Sequence, residues 1–219
     1  MTNDWNGRLE AVYDRYLAAL LAGNKTECIQ IVSALLDEGI PIRILYLNLL
    51  QATMYQVGTL WEQGQISVAK EHLATSLTEF LLTLTYPRLF RVPRSGHKAV
   101  VACVASEYHQ LGARMVADIF ELNGWDAYFL GANTSASGLL SLVREKQPDL
   151  LCLSLSIYFN MPRLLEALQL VRETFPHLPI LVGGQAFCWG GVDRVTRIPN
   201  VTYIDSIDHL ERRLQQVSE

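Results

Sequence analysis

The sequence is short of the features that mark secreted, membrane-spanning or nucleic-acid-binding chains. Its four cysteines (Cys28, Cys103, Cys152 and Cys188) are scattered with no Cys-x-x-Cys pair. That argues against a disulfide framework or a zinc knuckle and for a reducing compartment. No apolar run approaches the about 20 residues that a bilayer requires; the richest stretches, 42–50 and 149–157, are far shorter. The opening MTNDWNGRLE lacks a basic segment leading into an apolar one, so no secretory signal is expected. Charged residues make up 18% and the net charge is −4, so the basic face of a dedicated nucleic-acid binder is not expected either. What is present is apolar: half of the 219 residues are hydrophobic, enough to offset ordering entropy and exclude intrinsic disorder. A globular cytoplasmic chain of one large or two small domains is expected.

The chain falls into two halves. Leu9, Val12, Tyr13, Tyr16, Leu17 and Leu20 recur at helical spacing until Gly23, and 25–38 places Cys28, Ile31, Val32 and Leu35 on one face before Gly39. Pro41 suits the first turn of a third helix reaching about Glu62. Ser67 suits the cap of a fourth that ends before Pro87. Four such helices close a small bundle. PRLFRVPRSGHK (87–98) carries two prolines and no periodicity and reads as a linker, with the domain boundary near 95: a helical domain over 1–95 and a second domain over 96–219. From residue 98 the period changes. Apolar runs at 98–105, 126–131, 149–157, 179–184 and 201–204 alternate with helical patterns at 111–123, 136–146, 161–175 and 206–217. This alternation predicts right-handed βαβ units and a doubly wound parallel sheet, Rossmann-like or flavodoxin-like.

Ligands of such sheets bind beyond the carboxyl ends of the strands. The loop after the first strand, SEYHQLG (106–112), has no G-x-G-x-x-G fingerprint, which weakens a dinucleotide reading. It offers His109, with Glu107 two residues before and Gly112 three residues after. A carboxylate that accepts one ring N–H fixes the imidazole tautomer and raises the basicity of the other nitrogen. Such a pair is half a metal site. Alone, the pattern more often marks a surface or packing histidine than a ligand. As a ligand, it needs donors from elsewhere in the fold or a cofactor that brings its own metal.

Between Gly112 and Ser154 lie 41 residues, and between Ser156 and the pair Gly183-Gly184 lie 26. With the histidine loop, this spacing resembles the signature of cobalamin-binding domains, Asp/Glu-x-His-x-x-Gly…Ser-x-Leu/Val…Gly-Gly. The departure is Ser156, where the family carries Leu or Val. The resemblance implies that His109 replaces the dimethylbenzimidazole as lower axial ligand to cobalt, with Glu107 orienting it. It implies that Ser154 hydrogen-bonds the displaced nucleotide tail, that Gly183 and Gly184 let backbone approach it, and that Gly112 admits corrin or tail beside the first helix of the sheet domain. In the helical half, WEQGQISVAKEH (61–72) resembles the Trp-x9-Glu-His element of the cap in adenosylcobalamin-dependent photoreceptors of the CarH type. VGTLW (57–61) and GQISVAKEH (64–72) also resemble the cap of cobalamin-dependent methionine synthase. The photoreceptor resemblance implies Trp61 as a flat apolar lid over the corrin, with Glu71 and His72 as contacts to the 5′-deoxyadenosyl group.

Photoreceptors of that type carry an N-terminal DNA-binding domain. Here the first helix begins near residue 5 and the balance is acidic, so no direct DNA binding is expected. The resemblance implies a cobalamin sensor in transcription regulation, responsive to light through photolysis of the Co–C bond of adenosylcobalamin. It would signal through a regulatory protein partner or a change of homo-oligomer, with no membrane and no catalytic residue. Methylcobalamin and hydroxocobalamin are alternative cofactor forms. The alternative function is a corrinoid carrier subunit of a methyltransferase system. Carriers show Asp-x-His-Asp-x-Gly-Lys in this loop; Glu107, Gln110 and Ala113 stand where the two Asp and the Lys would be. A mutase small subunit would lack such a cap, and a haem-binding variant would place His109 on iron. Elsewhere, His97 is expected to be solvated, His177 and His209 to lie at the surface and Trp125 to pack inside. Trp189 lies near the glycine pair and is expected to pack, and Cys188 to be an ordinary buried thiol.

Overall fold

In a computed structural model, residues 5–217 are described. Residues 1–4, on which the reading against a secretory signal partly rests, lie outside them. The chain divides into two compact units, Met1–Arg88 and Leu89–Glu219.

The first unit is helical. Helices α1 (Trp5–Ala22) and α2 (Lys25–Asp37) are followed by α3 (Ile42–Leu45), which runs through a π-helical segment, Tyr46–Gln51, into α4 (Ala52–Glu62). Helix α5 (Val68–Leu82) leads through a 3-10 turn, Thr83–Thr85, into α6 (Tyr86–Leu89). The starts follow from the sequence: the Asn24 side chain accepts from Glu27 N–H at 3.2 Å and the Ser67 hydroxyl from Lys70 N–H at 3.3 Å, each satisfying an orphan donor of a first turn. Four rods result, with Tyr16, Leu20, Leu35, Leu49 and Leu81 buried among them, as the apolar period predicts. The π segment loosens the ladder, and the Thr53 hydroxyl donates to the carbonyls of Leu49 and Leu50 at 2.7 and 3.1 Å. One expectation fails. The chain stays helical across Pro87 because the 3-10 turn before it starts a new helix, and proline suits a first turn that has no donor to give.

The second unit is a five-stranded, all-parallel sheet in the order β2-β1-β3-β4-β5. Its strands are β1 (Lys98–Cys103), β2 (Asp126–Phe129), β3 (Leu150–Ser154), β4 (Ile180–Gly183) and β5 (Val201–Tyr203). Between and after them run α7 (Leu111–Leu122), α8 (Ala136–Lys146), α9 (Met161–Thr174), α10 (Val192–Thr196) and α11 (Ile207–Val217). Successive strand residues point to opposite faces. Val100 and Ala102 pack with Leu139, Val143, Leu164 and Leu168 of α8 and α9. Ala99, Val101 and Cys103 pack with Phe120 of α7 and Leu210 and Leu214 of α11. Burial on both faces explains the unbroken apolar runs. This is the flavodoxin-like order, and its switch point lies between β1 and β3.

The segment expected to be the linker is partly docked on this unit. Arg94 pairs with Glu121 and donates to the Trp125 carbonyl at 2.9 Å. His97, expected to be solvated, is half-buried and stacks on Trp125 with centroids 4.8 Å apart. Trp125 itself is buried, as expected. Among the described residues no helix is long and apolar enough to cross a membrane.

Candidate functional site

The β1 strand ends at Cys103 and the chain crosses the switch point as 104–110 before α7 begins. Glu107 lies on this crossing with 0% exposure. A buried carboxylate needs hydrogen-bond donors, and it has them. Its Oε1 accepts from His109 N–H at 3.0 Å and lies 2.7 Å from His109 Nδ1. Its Oε2 accepts from the N–H groups of Ser156 and Ile157 at 3.0 and 2.9 Å and from the Asn160 amide at 3.4 Å. Burial pushes the Glu107 carboxyl up, but the bonds from His109, Ile157 and Ser156 outweigh burial and hold it down at about 2. Glu107 is therefore ionised at neutral pH.

These bonds also correct the strand reading of 149–157. Strand β3 stops at Ser154: Leu155 N–H still donates to the Gly183 carbonyl at 3.0 Å, but the donors beyond it, at Ser156 and Ile157, turn to Glu107 instead of to a neighbouring strand.

With Nδ1 donating its proton to Glu107, the lone pair of His109 is on Nε2. The side chain is 59% exposed at the carboxyl end of the sheet. Its carbonyl faces the thiol of Cys103 at 3.8 Å and the hydroxyl of Ser156 at 3.5 Å, which both donate to it. Burial, then the Glu107 charge, pushes the Cys103 thiol up to about 12 and keeps it a neutral donor. Ser156 thus acts on the histidine loop, a role the signature does not contain.

Ser154, in register with Cys103 on one side and Gly183 on the other, stands half-buried at the same edge. The two glycine positions have a reason internal to the chain. A Cβ on Gly184, at φ 116°, would meet the Leu155 carbonyl oxygen at 2.2 Å, and one on Gly183 would meet that of Ile204 at 2.9 Å. Gly112 differs: it lies in the first turn of α7 with nothing within 4 Å of a Cβ. Protein packing does not require that glycine; a ligand beside the helix would.

In the helical unit, Trp61 is near the end of α4 and 47% exposed. Glu71 in the first turn of α5 lies 2.6 Å from His72 Nδ1 and accepts from the Thr75 hydroxyl at 2.8 Å. The structure therefore joins Glu71 to His72 as it joins Glu107 to His109. Two expectations for the sheet unit are overturned: Trp189 is 80% exposed and the Cys188 thiol is exposed, because the 3-10 turn Gln185–Trp189 buries Ala186 and Phe187 and turns the next two side chains out. Asn133 and Asn160 were missed by the sequence reading. Both bond the histidine loop from other loops, with no local pattern to mark them.

Could these residues hold a metal-bearing cofactor? Among the described residues no group of three His, Cys, Asp or Glu side chains could hold a metal ion. A metal on His109 must then arrive with most of its donors, as in a macrocycle. An oriented single imidazole, the unfilled space at Gly112, the exposed Tyr108 next to His109 and the exposed Ile157 and Phe159 on the loop after β3, whose Ile157 N–H bonds Glu107, suit a large, partly apolar group.

Residues 97–191 match a family model described as B12 binding domain, and residues 12–84 match a second model of the same description. Each half is thus similar to a B12-binding domain family. The chain is 29% identical over 160 residues to the HTH-type transcriptional repressor CarH of Myxococcus xanthus, across 71% of this chain and 52% of that protein. It is 28% identical over 120 residues to the HTH-type transcriptional repressor CarA of the same organism, across 55% and 41% respectively. The chain thus spans about half the length of the curated relatives it matches. In fold it is similar to the monomethylamine corrinoid protein of Methanosarcina barkeri, with a TM-score of 0.80 at 16% identity over 94% of this chain and 99% of that one. It is also similar to the methanol:cobalamin methyltransferase complex MtaBC of that organism, with a TM-score of 0.51 at 18% identity over 93% and 78%. The expected fold, a helical bundle followed by a flavodoxin-like parallel sheet, is the one observed.

Proposed function

We propose that this chain is the cobalamin-responsive module of a regulatory protein, responsive to light when loaded with adenosylcobalamin, and that its output is a changed homo-oligomer or protein contact. The observation that carries the proposal is the Glu107–His109 pair at the switch point: a fully buried, ionised carboxylate that fixes a partly exposed imidazole with its lone pair on Nε2. His109 would hold the cobalt of the cofactor through Nε2. Glu107 would orient the ring and offset the positive charge it shares with the metal. Ser154 would hydrogen-bond the displaced nucleotide tail beside Gly183 and Gly184, and Gly112 would leave room for the corrinoid. When bound, adenosylcobalamin supplies a Co–C bond that visible light breaks. Trp61, Glu71 and His72 would contact the adenosyl group and lose that contact on its departure, which biases a two-state element.

The regulatory reading draws on the sequence similarity to two proteins named as transcriptional repressors. The corrinoid-carrier reading keeps the same cofactor site but finds less support in the loop. Gln110, where carriers have Asp, turns its amide oxygen to Ala132 N–H at 3.0 Å. Reconstitution with adenosylcobalamin, followed by absorption spectra in the dark and after green light, tests the proposal. Binding and a light-induced change are expected in the wild type, with loss of the axial-ligand signature in His109→Ala. Equal handling of methylcobalamin and adenosylcobalamin, with an oligomer indifferent to light, would transfer the case to the carrier reading.

A further inference from the structure

The histidine loop is held from a direction that the sequence signature does not include. Ser106, just before Glu107, has φ 66°, and Asn133 on the loop after β2 has φ 48°. Left-handed backbone is unfavourable for a residue with a Cβ, although Asn tolerates it better than most. Such residues persist where their surroundings over-determine them. Here the two hold each other. Ser106 N–H donates to Asn133 Oδ1 at 2.9 Å, and Asn133 N–H donates to the Glu107 carbonyl at 2.8 Å. Beside them, Ala132 N–H donates to Gln110 Oε1 at 3.0 Å and Thr134 N–H to the Cys103 carbonyl at 3.1 Å. The segment before and after His109 is thereby stapled to the β2 loop, while the Glu107 carboxylate is stapled to the donors after β3. Backbone on one side and side chain on the other leave the Glu107–His109 pair little freedom to rotate.

We infer that Asn133 is a positioning residue for the His109 imidazole, acting through Ser106 and Glu107 to set where Nε2 meets the cobalt of a corrinoid. The inference rests on the reading of His109 as axial ligand. Residue type matters. Glycine tolerates the same backbone without supplying an acceptor, so Asn133→Gly removes the bond to Ser106 alone. Asn133→Asp keeps the acceptor and the tolerance of left-handed backbone.

The test uses the full chain reconstituted with cob(II)alamin. Electron paramagnetic resonance reads nitrogen superhyperfine splitting from the axial ligand, and isotopic labelling of histidine nitrogen assigns it to the protein. Wild type is expected to show a splitting that changes on labelling. If it does not, the axial-ligand reading fails, and this inference with it. Given that signal, Asn133→Gly is expected to weaken the splitting and to bind about 10-fold less tightly, the scale of lost outer-shell support. In the cofactor-free chain, the Ser106 amide should exchange faster with solvent. Asn133→Asp should restore all three. Faster exchange at Ser106 with splitting and affinity unchanged in Asn133→Gly would overturn the inference and leave Asn133 a purely structural staple. Should the glycine variant not fold, Asn133→Gln carries the same test, since its oxygen is displaced by one methylene. Wild-type splitting and affinity in that variant would overturn the inference.

Discussion

Glu107 pairs full burial with ionisation, and the consequences are measurable at this one residue. Its carboxyl lies at about 2 against an ordinary value of 4.5. The unfolded chain therefore takes up a proton near pH 4.5, whereas the folded chain resists until about pH 2. Its contribution is full above 4.5 and lost as the pH falls through that window. The loss should be on the order of 3 kcal/mol, read as a falling urea midpoint in acid. Glu107→Gln should flatten that dependence. It should also destabilise the chain by about 2–3 kcal/mol at neutral pH, because an amide cannot accept from all the donors gathered there. Ring orientation is lost in the same variant, so cobalamin affinity should fall about 10- to 100-fold.

At the scale of elements, two glycines of one signature separate into different physical roles. Gly112 lies in the first turn of α7 with nothing near its missing Cβ. Gly112→Ala should stabilise the cofactor-free chain by about 0.5–1 kcal/mol through helix propensity, while weakening cobalamin binding. Differential scanning calorimetry and a spectral titration should thus move in opposite senses. Gly184 holds φ 116° against the Leu155 carbonyl. Gly184→Ala should cost about 3 kcal/mol or more, from strain and a backbone clash, with or without ligand. Strand β3 shows the same competition: its apolar run reads on to Ile157, yet the strand ends at Ser154 and the last bond to β4 is from Leu155 N–H, after which Glu107 takes the N–H groups of Ser156 and Ile157.

Across the whole molecule, ligand binding and stability are linked. Cobalamin at one hundred times its Kd should raise unfolding free energy by about 2.7 kcal/mol, and His109→Ala should remove much of that gain without lowering the stability of the cofactor-free chain to match. The proposed light response predicts a changed sedimentation coefficient when the adenosylcobalamin-loaded chain is illuminated. Trp61→Ala should reduce the difference between dark and lit forms, since Trp61 is half exposed on its own unit and its loss costs the helical core little.

Much of this was written along the chain itself. Apolar period separated a helical half from a βαβ half, the cap at Ser67 set a helix start, and the His109 loop stood at its place after β1, because these depend on near neighbours and on alternation. The helical continuation over Pro87, the docked His97, the outward Trp189 and the early end of β3 did not follow from local pattern. Nor did Asn133 and Asn160, which lie 24 and 51 residues beyond His109 and yet bond its loop. A buried carboxylate collects its donors wherever the fold brings backbone N–H groups within reach, and only strand order decides that. The sequence by itself determined which cofactor family the chain resembles; the tertiary structure alone decided which groups hold the imidazole still, because hydrogen bonds to a buried charge are satisfied in space and not in sequence.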